Sequence, residues 1–118
     1  MTRLVFVLLA CLCFSFIIPN QIVKTNLQIT VRNDLGNVES GVNIHLYKTK
    51  EDFEKLTNPA AGPLQTDKNG KVTFKDLEAI EYFIGAEKGD LNNFGGGEKT
   101  EKLDANRINK ITIIVSDN

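Results

Sequence analysis

Beyond residue 26 the chain is governed by a period of two. In Leu27-Gln28-Ile29-Thr30-Val31-Arg32 every second residue is apolar, which places Leu27, Ile29 and Val31 on one face of a strand. Asn33-Asp34-Leu35-Gly36-Asn37 follows as turn chemistry. After Ser40-Gly41 the alternation resumes, with Val42, Ile44 and Leu46 directed inward and His45 and Tyr47 outward. Residues 51–57 break the rhythm. Phe53 and Leu56 stand three apart and share a helical face, so a short helical insert is predicted there, stopped by Asn58-Pro59. Residues 60–63 read as loop and Leu64-Gln65-Thr66 as a short strand.

Asp67-Lys68-Asn69-Gly70 is the strongest local signal. Asn-Gly supplies two residues that tolerate positive φ, as a tight hairpin turn requires. The chain then returns through Lys71-Val72-Thr73-Phe74, with Val72 and Phe74 inward and Leu77 at the end of the core. Residues 80–87 read as a strand with Ile80, Tyr82, Ile84 and Ala86 inward and Phe83 facing the other way. Residues 89–97 are loop. Residues 99–103 read as a charged edge strand and 104–106 as a turn. A closing strand over 108–115 turns Ile111, Ile113 and Val115 inward and Thr112 outward. Ile114 breaks its outward polarity and is assigned to a partner or to the anchor region.

About seven short strands separated by turns predict an all-β fold. The expected architecture is a seven-stranded antiparallel immunoglobulin-like sandwich over residues 25–117, with the helical insert near 51–57. A chain of 118 residues is one domain. With so little chain the core is thin and leaves small room for a buried active site.

The opening segment has a different character. Met1-Thr2-Arg3 is cationic, and residues 4–18 carry no charge before Pro19-Asn20-Gln21. That run falls short of the roughly 20 apolar residues a bilayer core needs and fits a secretory signal. Residues 1–20 are therefore expected to be a signal peptide or membrane anchor, with the remainder exported to periplasm, cell surface or medium. Leu8-Leu9-Ala10-Cys11 has the form of a bacterial lipobox, which makes Cys11 a candidate lipidation site. Both cysteines, Cys11 and Cys13, lie in this segment, so neither a disulfide scaffold nor a thiolate zinc site is expected in the folded part.

The order of these signals resembles a known group. Leu27 to Val31, Asp34-Leu35-Gly36 and Gly41-Val42-Asn43-Ile44-His45-Leu46-Tyr47 are similar to the opening of a carboxypeptidase regulatory-like domain. Thr66-Asp67-Lys68-Asn69-Gly70-Lys71-Val72-Thr73-Phe74, then Leu77 and Tyr82 to Ala86, resemble its middle. The resemblance implies a transthyretin-like (prealbumin-like) sandwich, a fold also found in collagen-adhesin B-type repeats and pilin-related domains. Such domains serve as struts, adhesive modules and accessory domains, and a shared fold does not assign one of these roles. Some relatives carry a Lys–Asn isopeptide cross-link assisted by an acidic residue. The candidates here are Lys24, Asn109 and Glu81, but the period of two turns Lys24 and Glu81 outward, away from the core such a bond needs.

Composition and charge narrow the functions further. Fourteen Lys and Arg against 15 Asp and Glu give a net charge of −1, with no basic patch for nucleic acid. His45 is the only histidine and reads as a surface or loop-packed residue rather than a metal ligand. Ser40 and Ser116 lie beside turns or termini, so a Ser–His–Asp site is not expected. Glu51, Asp52 and Glu54 read as a solvated first helical turn. Asp67 to Gly70 is explained by its turn, and Asp90-Leu91-Asn92-Asn93-Phe94-Gly95 places Phe94 where a calcium loop needs an oxygen ligand. Phe94-Gly95-Gly96-Gly97 lacks the ending of a phosphate loop. No catalytic set, metal or cofactor is expected.

Exposed aromatic residues are over-represented at contact surfaces, which makes Tyr47, Phe83 and Phe94 the candidate contact surface. The expected function is a non-catalytic structural or adhesive module at the bacterial cell envelope. Its partner would be a protein or glycan there, and it would touch membrane only through its N-terminal signal or lipid. The alternative is a small-ligand or carbohydrate-binding accessory protein using Tyr47, Phe83 or the 89–97 loop.

Overall fold

A computed structural model describes residues 24–96 and 98–117. The expectations for residues 1–20, and for Cys11 among them, lie outside the described residues. The elements in chain order are β1 (Asn26–Asn33), β2 (Asn43–Tyr47), α1 (Lys50–Lys55), β3 (Ala61–Gln65), β4 (Lys71–Phe74), β5 (Phe83–Lys88), β6 (Leu91–Asn92) and β7 (Ile108–Asp117). The strands run in the order β3-β2-β5-β6-β7-β1-β4.

This order makes a two-layer sandwich. One layer is β4-β1-β7 and the other is β3-β2-β5-β6. The layers are joined where β6 pairs with the tail of β7, Leu91 opposite Asp117 and Asn92 opposite Ser116. At the opposite end of the strand order β3 and β4 approach each other, so the sheet nearly closes on itself.

The expectation of a wholly antiparallel sheet is corrected. β1 and β7 pair in parallel from Asn26 opposite Ile108 to Asn33 opposite Val115. A parallel pair needs a long crossover connection, and everything from β2 to β6 supplies it. Alternation in the sequence reports which face a residue occupies and carries no information on strand direction.

The faces follow the alternation closely. Leu27, Ile29 and Val31 of β1 are buried, as are Val42, Ile44 and Leu46 around β2. Val72, Phe74, Tyr82, Ile84, Ala86, Ile113 and Val115 complete the layer between the sheets. Leu103 joins them from residues 99–103, which were expected to form an edge strand. That segment instead touches β5 through a single bridge between Lys99 and Phe83, and the Thr100 amide donates to the Tyr82 carbonyl at 2.8 Å. Leu103 then turns into the core, so the segment follows the sandwich's edge without forming a ladder.

One turn and one loop behave differently from their sequence reading. Asn69 does not take positive φ; Gly70 does, at +74°. The Asp67 carboxylate accepts from the Asn69 and Lys71 amides at 2.8 and 3.1 Å. The turn carries the chain from β3 in one layer to β4 in the other, rather than joining a paired hairpin. Meanwhile β3 takes up Ala61, Gly62 and Pro63, which read as loop in the sequence. It lies at the end of the strand order, where proline is tolerated because one edge needs no donor.

The helical insert is shorter than predicted. Thr49 caps α1, its hydroxyl accepting from the Asp52 amide at 3.1 Å. Leu56 adopts a left-handed conformation as the C-cap. That twist removes Leu56 from the face it was expected to share with Phe53: Phe53 is 4% exposed and Leu56 49%.

Candidate functional site

The outer face of the β2–β5 pair gathers most of the chain's unusual side chains. In this pair Tyr47 stands opposite Phe83, and His45 opposite Gly85. Directly opposed residues share a face, so Tyr47, Phe83 and His45 project together away from the core. α1 lies over them and lowers Phe53 into the group. Its ring lies 6.0 Å from Tyr47 edge-on, 6.1 Å from Phe83 stacked, and 6.5 Å from Phe94 edge-on. These are ordinary separations for favourable aromatic pairs. Lys99 Nζ sits 6.0 Å from the Phe83 ring centroid, within cation–π range.

Gly85 makes this packing feasible. A Cβ there would meet Tyr47 Cε2 at 3.1 Å and Phe94 Cε1 at 3.7 Å. A strand glycine marking a close approach is a recurrent device, and here the approaching group is the Tyr47 ring.

The three aromatic residues singled out in the sequence thus belong to one cluster with Phe53. Their accessibility differs. Tyr47 leaves the sheet on the outer side, as the alternation requires, yet it is only 3% exposed because α1 covers it. Burial pushes its phenol above the ordinary value, and the nearby Glu87 carboxylate adds to the rise. Phe83 and Phe94 are half-buried. A cleft of about 190 Å³ lies between His45, Tyr47, Leu56, Pro59, Glu87 and Phe94. On the other side of Phe94 a shallower hollow of about 360 Å³ runs along Lys50, Phe53, Glu54 and Phe83 to Gly95 and Gly96. Phe94 therefore forms a ridge between two depressions with aromatic floors and charged rims.

The other sequence candidates have plain structural places. Glu51 pairs with Lys55 at 2.8 Å and Glu54 with Lys50 at 3.8 Å on the solvent side of α1. Ser116 Oγ donates to Asp34 Oδ1 at 2.7 Å, and neither Ser40 nor Ser116 lines the cleft beside His45. Lys24 pairs with Asp76 at 3.5 Å, and Glu81 with Lys99 at 3.2 Å. Asn109 Nδ2 donates to the Asn26 and Asp104 carbonyls, both at 3.1 Å. The three cross-link candidates thus each have a different partner. Among the described residues no group of three or more His, Cys, Asp and Glu converges as metal ligands do. Among them, too, no helix is long and apolar enough to cross a membrane.

Two polar residues that the sequence did not single out hold the 89–97 loop. Asn93 is buried; its Oδ1 accepts from the Ala86 amide at 2.9 Å and its Nδ2 donates to the Ile84 carbonyl at 2.7 Å. It thereby extends the β5 ladder where β6 ends. Burial pushes the Glu98 carboxyl above its ordinary range, opposed by hydrogen bonds from the Asn93 side chain and the Ile114 amide. Its Oε2 is buried with no hydrogen-bond partner among the described residues. In the sequence Asn93 falls in the 89–97 loop and Glu98 carries no reading of its own, since nothing local marks a polar residue that folds inward.

The layer order and the parallel β1–β7 pair define the class: a small two-layer β-sandwich domain with mixed strand directions. No family model matches the chain, and no curated protein matches it. Solved structures do. A Streptococcal ancillary pilin superposes with a TM-score of 0.59 at 14% identity, over 83% of this chain and 34% of that one. The group B streptococcus pilus 2b backbone protein gives 0.60 at 14% identity, over 80% of this chain and 41% of that one. The Bacillus anthracis TIE protein gives 0.56 at 20% identity, over 80% and 18% respectively. The chain spans less than half of each of these longer proteins. At such identities the likeness establishes the fold alone, a β-sandwich shared with domains of these proteins.

Proposed function

We propose that this chain is an exported, non-catalytic β-sandwich module with a structural or adhesive role at the bacterial cell envelope, of the carboxypeptidase regulatory-like kind. The observation that carries the reading is the sandwich itself, shared with the pilin subunits above. The aromatic cluster on its outer face supports a contact role. Phe83 and Phe94 form the accessible part of that surface, and Tyr47 with Phe53 forms its floor. The partner is a protein or glycan whose flat or ring-shaped groups lie against the Phe94 ridge.

Residues 1–20 act as the export signal or anchor in this reading, and Cys11 is the residue that lipid would modify. Two measurements test it. Fractionation of cells making the full chain should place it with the envelope or the medium, and mass spectrometry should find a processed N-terminus. An unprocessed chain in the cytosol overturns the proposal.

A second reading, an accessory protein binding a small ligand or carbohydrate, is favoured by the cleft beside His45. At about 190 Å³ it is smaller than the roughly 300–1,000 Å³ of usual ligand sites, and suits a single ring. A saturable rise in melting temperature with a monosaccharide, lost in Phe94→Ala, selects this reading over the first.

A further inference from the structure

β7 is covered unequally on its two sides. Along one edge β1 pairs with it from Ile108 to Val115. Along the other, β6 reaches only Ser116 and Asp117. The Asn26 amide donates to the Arg107 carbonyl at 3.1 Å, which sets the phase of the parallel ladder: odd-numbered residues of β7 bond to β1. The N–H and C=O groups of Ile108, Lys110 and Thr112 therefore point the opposite way. No backbone or side chain among the described residues pairs with them.

Ile108 and Lys110 line a groove of about 590 Å³ between β7 and residues 100–104, and Thr112 lies just beyond its upper end. The far wall is pinned to the other layer: Thr100 and Leu103 amides donate to the Tyr82 and Ile80 carbonyls at 2.8 and 3.2 Å. Leu27, Leu103 and Ile111 line the groove's apolar side. Lys102, Arg107 and Lys110 border it together with Glu101 and Asp104. Arg107 pairs with Asp104 at 3.7 Å, while Lys102, Lys110 and Glu101 form no ion pair among the described residues, so the rim keeps one net positive charge. The window is bounded at its upper end by Ile114, whose amide acts on Glu98, and by the β6 pairing beyond.

We propose that this window, Ile108 to Thr112 on β7, is a strand-addition site that takes an extended acidic segment of a partner protein. Three donors and three acceptors, repeated every second residue at about 6.6–6.8 Å, match the backbone of one five-residue strand. Main-chain bonds supply the affinity in this mode, and alternate side chains supply the selectivity. Inward residues of the added strand pack toward the partly buried Ile111, with Leu27 and Leu103 buried beneath it, and are apolar. The central outward residue stands opposite Lys110 and carries a carboxylate. A second copy of the chain fits less well. The register that uses the whole window of both copies sets Lys110 against Lys110, and directly opposed like charges are destabilising. The proposal uses a different surface from the aromatic cluster and does not rest on its role.

The test uses the full chain and a synthetic probe, acetyl-Thr-Val-Glu-Val-Thr-amide, followed by amide NMR and hydrogen exchange. On titration to millimolar concentration the resonances of Ile108, Lys110 and Thr112 should shift together, and their exchange should slow at least several-fold. N-methylation of the probe's glutamate should abolish the effect. Lys110→Glu, an exposed change that leaves the β1 ladder intact, should weaken the probe on the order of fivefold. A lysine-centred probe should then bind that variant better than the original. Absence of shifts, shifts mapping elsewhere, equal binding of the N-methylated probe, or edge amides already as protected in the free monomer as those bonded to β1 overturns the proposal. Protection that grows with protein concentration alone assigns the edge to a second copy and also overturns it.

Discussion

Removing the Phe53 ring should uncouple α1 from the sandwich. Phe53 is 4% exposed, and its ring is the one among the described residues in contact with each of Tyr47, Phe83 and Phe94. Truncating a buried phenylalanine to alanine costs about 3–5 kcal/mol, and three aromatic contacts push toward the upper part of that range. The site opposes this, because it lies on an outer face where the six-residue α1 can detach. A helix that short has no independent stability, so local release limits the cost to about 3 kcal/mol. For a domain near 100 residues, where each kcal/mol shifts Tm by about 4–8 °C, this is a fall of about 12–24 °C. Circular dichroism melting of Phe53→Ala, with Phe53→Leu as control, measures it.

The phenols provide an independent readout. The protein has two tyrosines, and burial raises both phenols above their ordinary value. In Phe53→Ala the Tyr47 titration should move back toward about 10. Tyr82, sealed in the core with its hydroxyl donating to the Glu78 carbonyl at 3.0 Å, should stay raised. A loss below about 1 kcal/mol, or a Tyr47 titration that does not move, refutes the view that Phe53 clamps the insert onto the sheet.

Three further outcomes are expected. Asn93→Ala strands the buried Ala86 amide and Ile84 carbonyl and should cost about 2–4 kcal/mol in urea unfolding; a loss under about 1 kcal/mol contradicts the role given to Asn93. Glu98 has its folded-state pKa raised from 4.5, so the fold holds the proton more tightly than the unfolded chain. Its favourable contribution is full below about 4.5 and fades as pH rises through the folded value. The Tm of Glu98→Gln relative to the native chain should therefore climb from pH 4 to 8. Glu39, held below its ordinary value by the Asn33 amide and Lys88, titrates in both proteins and cancels, so a difference independent of pH counts against a buried Glu98. Gly70→Ala should cost more than Gly36→Ala. Both positions have positive φ, but a Cβ at Gly70 meets Val31 O at 2.9 Å while one at Gly36 meets nothing within 4 Å. Paired thermal melts decide this, and equal losses mean the contact does not matter.

The pattern of agreement has a physical basis. Each inward residue of β1, β2 and β4 was legible because side chains of a strand alternate across its plane whatever surrounds it. The same holds for the Asn33–Asn37 turn, where the Asn33 side chain accepts from the Leu35 and Asn37 amides. Residues 60–63 and 99–103 were harder, because neither shows alternation. β3 is largely exposed at the end of the sheet, and the later segment delivers Leu103 to the core without a ladder.

The candidate site divides in the same way. The sequence placed Tyr47, Phe83 and Phe94 off the inner faces of their strands or in a loop. It contained no sign that α1 would cover Tyr47, nor that Gly85 would be the gap beneath its ring. Asn93 and Glu98 stayed invisible because their burial depends on how a loop folds back over β5 and β7.

The primary structure alone settled which side chains face one another across a strand and where the chain must turn, since both follow from bonding geometry within a few residues. Tertiary structure decided the parallel joining of β1 to β7, the concealment of Tyr47 and the edge at Ile108–Thr112 that no described residue pairs with. Each depends on which distant segment arrives alongside, and short-range periodicity holds no record of that.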